Sequence, residues 1–148
     1  MNASLLIIDD DPGMTDLLSG ALKHLGFEVA VANTGEDGIR MIKRAPPQIV
    51  VLDLIMPGMD GWQTCEAIRR FSSLPILVLS PLDKPAVVAS ILDAGADDCM
   101  LQPVSLSLLV GRLKKITRRA SAMGPLSQRR VGDPDPVQRA LLGVAVES

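Results

Sequence analysis

Five short aliphatic runs alternate along the chain with longer segments of helical periodicity, and this alternation most constrains the fold. The runs span residues 4–8, 27–32, 48–53, 75–80 and 98–101. Each suits one buried strand and each intervening segment suits a crossover helix, which is the pattern of successive βα units. Right-handed crossovers place such helices on both faces of one sheet. The sequence therefore predicts an α/β fold with a doubly wound, five-stranded parallel sheet.

Local signals divide the intervening segments into five helices. The first begins at Pro12 with Asp11 as its N-cap, and the second covers residues 35–44. The third opens at Asp60 and Gly61, the fourth runs from Pro85 to residue 95, and the fifth starts near residue 105. For the first helix we predict a buried stripe of Leu17, Leu18, Ala21, Leu22 and Leu25, and for the fifth one of Leu106, Leu109, Val110, Leu113 and Ile116.

Two of the aliphatic runs end in acidic residues. Asp9, Asp10 and Asp11 follow the first run, and Asp53 ends the third. If both runs are parallel strands of one sheet, their carboxyl ends lie at the same edge and the acids converge. At about 4 Å and an effective dielectric of about 20, a like-charged pair costs on the order of 4 kcal/mol. The cluster therefore needs a cation or partial protonation, and an all-oxygen site suits Mg²⁺.

Composition restricts the classes of function. The net charge of −2 gives no general attraction to nucleic acid or membranes. No apolar stretch is long enough to span a bilayer, and the first run is too short for a signal peptide, so we expect a cytoplasmic chain. Cys65 and Cys99 are predicted to be free thiols. Periodicity stops near residue 120, which predicts a domain of residues 1–120 followed by a linker or tail, residues 121–148, that either ends the protein or precedes a missing output domain.

These motifs together resemble the receiver domains of two-component response regulators, over about residues 5–119. The resemblance rests on the acidic pair Asp9 and Asp10, on Asp53 with residues 56–61 (MPGMDG) after it, on Ser80 at the end of the fourth run, and on residues 94–98 (AGADD) before the fifth. It implies a flavodoxin-like sheet of strand order 2-1-3-4-5. A flavodoxin-like cofactor binder is disfavoured, because no Gly-rich loop is present and acids at strand ends repel phosphate.

The resemblance also implies a role for each matching position. Asp53 would accept a phosphoryl group from a histidine kinase in phosphorelay signalling, and the chain would be no enzyme beyond its own labelling. Asp10, Asp53 and the main-chain carbonyl of Ile55 would hold Mg²⁺, with Asp9 acting mostly through water. Ser80 would supply the hydroxyl that follows the phosphoryl group. Alternatively, a serine at a strand end is a turn residue, and Asp11 and Asp60 are only helix caps.

The sequence departs from the family pattern where the family senses the phosphoryl group. Gln102 stands in place of the lysine before the proline, so about 1 to 3 kcal/mol of charge-assisted stabilisation is missing. Pro81, after the switch hydroxyl, has no N–H. We therefore expect either a receiver phosphorylated slowly at Asp53 or weakly coupled to its output, or an atypical pseudo-receiver that works as a phosphorylation-independent interaction module.

In the winged-helix branch of the family, acids and bases pair across a symmetric dimer of the fourth helix, fifth strand and fifth helix. The resemblance implies such a homodimer here, with Asp97 or Asp98 meeting Arg112 or Lys114 of the other subunit. The alternative is a solvated helix face with a basic end. Because the basic residues are not accompanied by aromatic residues or a recognition helix, and the net charge is −2, we expect no direct nucleic acid binding by this segment, and no membrane binding.

Overall fold

The computed structural model of the chain describes residues 3–122, and the predicted alternation of strands and helices is confirmed there. The strands are β1 (Ser4–Ile8), β2 (Glu28–Ala32), β3 (Ile49–Asp53), β4 (Ile76–Ser80) and β5 (Asp98–Leu101). The helices are α1 (Pro12–His24), α2 (Gly35–Arg44), α3 (Gly61–Arg69), α4 (Pro85–Asp93) and α5 (Leu106–Ala122). Strand boundaries agree with the predicted ones to within one residue.

The five strands form one parallel sheet in the order β2-β1-β3-β4-β5, as the resemblance implied. Ile8 is in register with Leu52, and Asp53 is in register with Leu79. The ends of β1, β3 and β4 therefore lie side by side at one edge. This register brings the residues that follow each strand to a common site.

The core lies on both faces of the sheet, because alternate residues of each strand point to opposite sides. One face of the sheet packs against α2, α3 and α4, whose buried contacts are Ile42, Cys65, Ile68 and Ile91. The other face packs against α1 and α5 through Leu22, Leu109, Leu113 and Ile116. Every residue of β3 and β4 is buried. The doubly wound arrangement follows from these two layers.

The predicted inner face of α1 was partly wrong. Leu22 is buried, but Leu17 is 72% exposed and Leu25 is also exposed. Thr15 and Ser19 are buried instead, and they share a helical face with Leu22. Small polar side chains let the helix lie close to the sheet, and the Thr15 hydroxyl is satisfied within the helix by donating to the Pro12 carbonyl at 3.0 Å. The larger side chains of Leu17 and Leu25 are left exposed.

The end of the chain agrees with prediction in part. Leu109, Leu113 and Ile116 are buried in α5 as expected, whereas Leu106 is exposed at its start. The helix continues to Ala122, two residues past the predicted boundary. The predicted linker or tail otherwise lies outside the described residues. Between residues 3 and 122, no helix combines the length and hydrophobicity needed to cross a membrane.

Candidate functional site

Asp9, Asp10 and Asp53 converge at the carboxyl ends of β1 and β3, as the strand assignment predicts. One carboxylate oxygen from each lies within 4.8 Å of the other two. Asp9 is 5% exposed and Asp53 is 8% exposed, whereas Asp10 faces solvent. The site is therefore an acidic pocket with two buried carboxylates and one at its rim.

Main-chain hydrogen bonds hold the β1 side of the pocket. The Asp9 N–H donates to the Ala32 carbonyl at 3.1 Å, and the Asn33 side-chain amide donates to the Asp9 carbonyl at 2.9 Å. The Asp11 N–H donates to Asp9 Oδ1 at 3.0 Å. The Asp11 side chain points elsewhere, because it caps α1 by accepting from the Gly13 N–H. Asp11 is thus a helix cap, as one of its two interpretations predicts.

The β3 side of the pocket depends on Gly61. The Gly61 N–H donates to the Leu54 carbonyl at 2.7 Å, which draws the start of α3 against the chain after Asp53. A Cβ at position 61 would lie 2.5 Å from Leu54 Cα and 2.7 Å from the Asp53 carbonyl oxygen. Only glycine permits this approach. Asp60 caps α3 in a capping box with Gln63, which confirms its predicted local role.

The electrostatics of the pocket are those of crowded acids. Burial, followed by the charge of Asp9, raises the pKa of Asp53 to about 7. The Ile55 N–H donates to the Asp53 carboxylate and opposes this rise. Burial also raises the pKa of Asp9, with smaller contributions from the charges of Asp10 and Asp11. At neutral pH Asp53 is therefore only partly ionised, and its ionised form is repelled by the carboxylates of Asp9 and Asp10.

These residues fit a small, hard divalent cation. All three side-chain donors are carboxylate oxygens, the ligand type that Mg²⁺ prefers. A cation would relieve the repulsion that raises the pKa of Asp53. Asp9, Asp10 and Asp53 could therefore hold Mg²⁺ together. The Ile55 N–H lies beside the Asp53 carboxylate, and the predicted role of the Ile55 carbonyl as a ligand stays a prediction.

The residues predicted to sense a bound group lie on the two neighbouring strands. Ser80 ends β4 and is fully buried, and its hydroxyl forms a turn with Leu82. This is the turn role that a serine at a strand end predicts. Gln102 follows β5, where its N–H donates to the Ser80 carbonyl at 2.8 Å and its peptide bond to Pro103 is cis.

The residues predicted for a dimer face are placed differently from expectation. Asp98 forms an ion pair of 2.5 Å with Arg112 of the same chain, where pairing between subunits was expected. The Asp97 side chain is only 3% exposed and pairs with Arg69 of the same chain at 2.9 Å, and the predicted contact of Asp97 or Asp98 with another subunit stays a prediction. Lys114 lines a groove of about 310 Å³ at the opposite end of the sheet from the carboxylates.

Arg69 is a structural residue that the sequence patterns did not reveal. Its Nε donates to the Gly95 carbonyl at 2.8 Å, and one guanidinium nitrogen donates to the Leu74 carbonyl at 2.7 Å. Asp97 also accepts from the Ile76 N–H at 2.8 Å. One arginine thus joins the end of α3, the start of β4, the end of α4 and the start of β5. The contacts of Arg69 with Gly95 and Asp97 span more than twenty residues of sequence, beyond the reach of local patterns.

Comparisons with known proteins agree with this geometry. Residues 5–114 match the family described as response regulator receiver domain. The chain is 38% identical over 116 residues to the transcriptional regulatory protein AfsQ1 of Streptomyces coelicolor, covering 78% of this chain and 52% of that protein. It is 32% identical over 133 residues to the DNA-binding response regulator MtrA of Mycolicibacterium smegmatis, covering 90% of this chain and 58% of that one. The chain spans about half the length of these relatives.

Solved structures give the same result. A putative response regulator from Chloroflexus aurantiacus is 32% identical, with a TM-score of 0.76 over 80% of this chain and 100% of that chain. The BeF3-activated N-terminal receiver domain of Klebsiella pneumoniae RstA is 30% identical, with a TM-score of 0.74 over 78% of this chain and 98% of that chain.

Proposed function

Because this chain belongs to the family of response regulator receiver domains, we propose that its Asp53 accepts a phosphoryl group from a sensor histidine kinase while Asp9 and Asp10 hold Mg²⁺ beside it. The observation that carries the proposal is the convergence of the three carboxylates within 4.8 Å. Three acids at strand ends, two of them buried, destabilise the folded chain, so such a cluster indicates a functional site. A phosphoryl acceptor beside a bound cation is a function that uses all three acids.

In the proposed reaction, an Asp53 carboxylate oxygen attacks the phosphorus of a phosphohistidine. The phosphorus–nitrogen bond breaks, its electron pair stays on the imidazole, and an acyl phosphate forms on Asp53. The Ile55 N–H orients the carboxylate by donating to it. When bound, Mg²⁺ would supply positive charge against the phosphoryl oxygens and the neighbouring acids.

The side of the site that senses the phosphoryl group is weaker than the metal side. Gln102 can donate a hydrogen bond but carries no charge, and Pro81 cannot donate at all. We therefore expect phosphorylation to be slow or only weakly coupled to the output surface. The same two residues favour the second candidate, a pseudo-receiver that binds partners independently of phosphorylation. A Gln102→Lys variant distinguishes the two candidate functions, because unchanged labelling and unchanged association with partners favour the pseudo-receiver.

The exposed apolar side of α1 supports a kinase as partner. Met14 and Leu17 are exposed on the helix that begins directly after Asp11, near the acidic pocket. Apolar side chains left uncovered beside a reactive site mark a contact surface. A Leu17→Ser variant should therefore receive phosphoryl groups from a kinase more slowly than the wild type. Labelling by acetyl phosphate should be unchanged, because a small donor needs no contact with α1.

A homodimer through the α4-β5-α5 face remains part of the proposal in a changed form. Asp98 and Arg112 already pair within one chain, and Asp97 is buried. The exposed Leu101 and Leu108 offer apolar contacts on the same face. An interface built on them should strengthen with salt or be insensitive to it, whereas one built on ion pairs should weaken. Sedimentation at two salt concentrations measures this, and a monomer at every concentration removes the dimer.

The proposal extends to the output of the receiver and to its cellular location. The relatives of this chain are named as transcriptional and DNA-binding regulators, so a longer protein carrying this receiver would regulate transcription through a DNA-binding domain outside the described residues. Since histidine kinases draw phosphoryl groups from ATP, we place the chain in the cytoplasm.

Labelling with Mg²⁺ and acetyl phosphate tests the proposal. Intact-mass measurement should show one phosphoryl adduct on the wild type that hydroxylamine removes. Asp53→Asn should show none, and Asp93→Asn, which changes an exposed acid on α4, should label like the wild type. Adducts that persist in Asp53→Asn, or none on any variant, would refute phosphorylation at Asp53.

A further inference from the structure

We propose that the main-chain N–H of Leu82 is a positioning group for the Ser80 hydroxyl when a phosphoryl group occupies Asp53. This inference rests on the proposed function and concerns how the same site recognises the group. The Leu82 N–H donates to Ser80 Oγ at 2.9 Å, and the Ser80 hydroxyl donates to the Leu82 carbonyl at 3.1 Å. The two residues therefore exchange a pair of hydrogen bonds across Pro81.

Pro81 explains why the donor sits at position 82. A proline has no N–H and its φ is fixed, so the first main-chain donor after Ser80 belongs to Leu82. Ser80 is fully buried, and its oxygen would otherwise lack a donor from the loop. The N–H of Leu82 satisfies that oxygen and leaves the hydroxyl proton as the only part of the side chain that can be redirected.

The main chain on either side of this turn is held in place. The Leu54 N–H donates to the Leu79 carbonyl at 2.9 Å, and the Gln102 N–H donates to the Ser80 carbonyl at 2.8 Å. Because Leu79 is in register with Asp53, Ser80 ends its strand at the edge where the acidic pocket lies. Redirecting the hydroxyl proton therefore requires rotation about the Cβ–Oγ bond only, with Oγ still bound to the Leu82 N–H and no shift of β4.

A phosphoryl oxygen is a better acceptor for this proton than the Leu82 carbonyl, because it is charged. The Leu82 N–H, still bound to Oγ, polarises the hydroxyl and strengthens its donation. Leu82 would thus act through Ser80 and compensate in part for the donor that Pro81 cannot provide.

Beryllofluoride, which activates related receivers, is the probe for the test. Its affinity is measured with saturating Mg²⁺, and Mg²⁺ affinity is measured alone. Leu82→Pro removes the N–H and should weaken beryllofluoride binding about tenfold while Mg²⁺ affinity stays unchanged. Asp83→Pro is the matched control, since it adds a proline to the same loop and should leave both affinities unchanged.

A second variant separates the main-chain donor from the side chain of Leu82. Leu82→Ala keeps the N–H that donates to Ser80 Oγ and should bind beryllofluoride to within about threefold of the wild type. Equal binding by Leu82→Pro and the wild type would overturn the proposal. So would equal losses of beryllofluoride and Mg²⁺ affinity.

A measurement on the unaltered loop covers the case in which Leu82→Pro fails to fold. The Leu82 amide resonance should shift when beryllofluoride is added to the Mg²⁺-bound wild type, and this shift should be absent from Ser80→Ala. A resonance that does not respond in the wild type overturns the role of Leu82. If the wild type binds no beryllofluoride at all, the proposed phosphorylation at Asp53 fails and the role of Leu82 fails with it.

Discussion

The raised pKa of Asp53 predicts a pH dependence of stability that Asp53→Asn should remove. The pKa of this carboxyl is about 7 in the folded chain, against an ordinary value of 3.8. The folded chain therefore keeps a proton that the unfolded chain releases between these values. The associated stability is fully present below the ordinary pKa and is lost as the pH rises through the folded pKa.

The magnitude follows from the difference between the two pKa values. Each pKa unit corresponds to about 1.4 kcal/mol, so a rise of about three units corresponds to about 4 kcal/mol. Asn at position 53 does not titrate and carries no charge toward Asp9. The free energy of unfolding of Asp53→Asn, relative to wild type, should therefore increase by about 2 to 4 kcal/mol between about pH 4 and pH 8.

Urea unfolding at the two pH values measures this change, with fluorescence of the single tryptophan, Trp62, as the signal. Mg²⁺ should restore wild-type stability at the higher pH and should stabilise Asp53→Asn less, because a ligand that binds the folded state more tightly adds more to the free energy of unfolding. Asp93→Asn serves as the control for loss of an exposed acid. Parallel pH profiles for wild type and Asp53→Asn would refute the electrostatic account of the pocket.

Three further changes test the framework around the site. Gly61→Ala should lower the free energy of unfolding by about 1 to 3 kcal/mol, because its Cβ would overlap the main chain of Leu54; an unchanged thermal midpoint would contradict this. Arg69→Met should cost about 3 to 5 kcal/mol in urea unfolding, because it removes the Arg69 side of a buried ion pair with Asp97, and adding Asp97→Asn should recover part of the loss. Arg112→Ala should cost less than about 1 kcal/mol, since its ion pair is partly exposed, and a larger loss in physiological salt would be evidence against that assignment.

Local patterns predicted the parts of this molecule that depend on local physics. Strand length, helix capping at Asp11 and the carboxylates at the ends of β1 and β3 are all confirmed, because strand ends converge once the sheet is parallel. The inner face of α1 was mispredicted because Leu17 has helical spacing, while the close approach of the helix to the sheet selected smaller residues. The contacts of Arg69 with Asp97 join distant segments, and no periodicity in the chain encodes them.

The position of Arg69 has a consequence for how the receiver can move. Its guanidinium binds main-chain carbonyls before β4 and after α4, at the end of the sheet remote from the acidic pocket. The opposite end of the same strands carries the loop of Ser80 and Leu82, which is held by its own turn. Arg69 thus fixes the end of the sheet remote from the acidic pocket, while the Ser80 loop lies at the other end. A rearrangement that starts in the Ser80 loop should reach α4 as a tilt about the end of α4 next to Gly95, since the hydrogen bond from Arg69 to the Gly95 carbonyl holds that end.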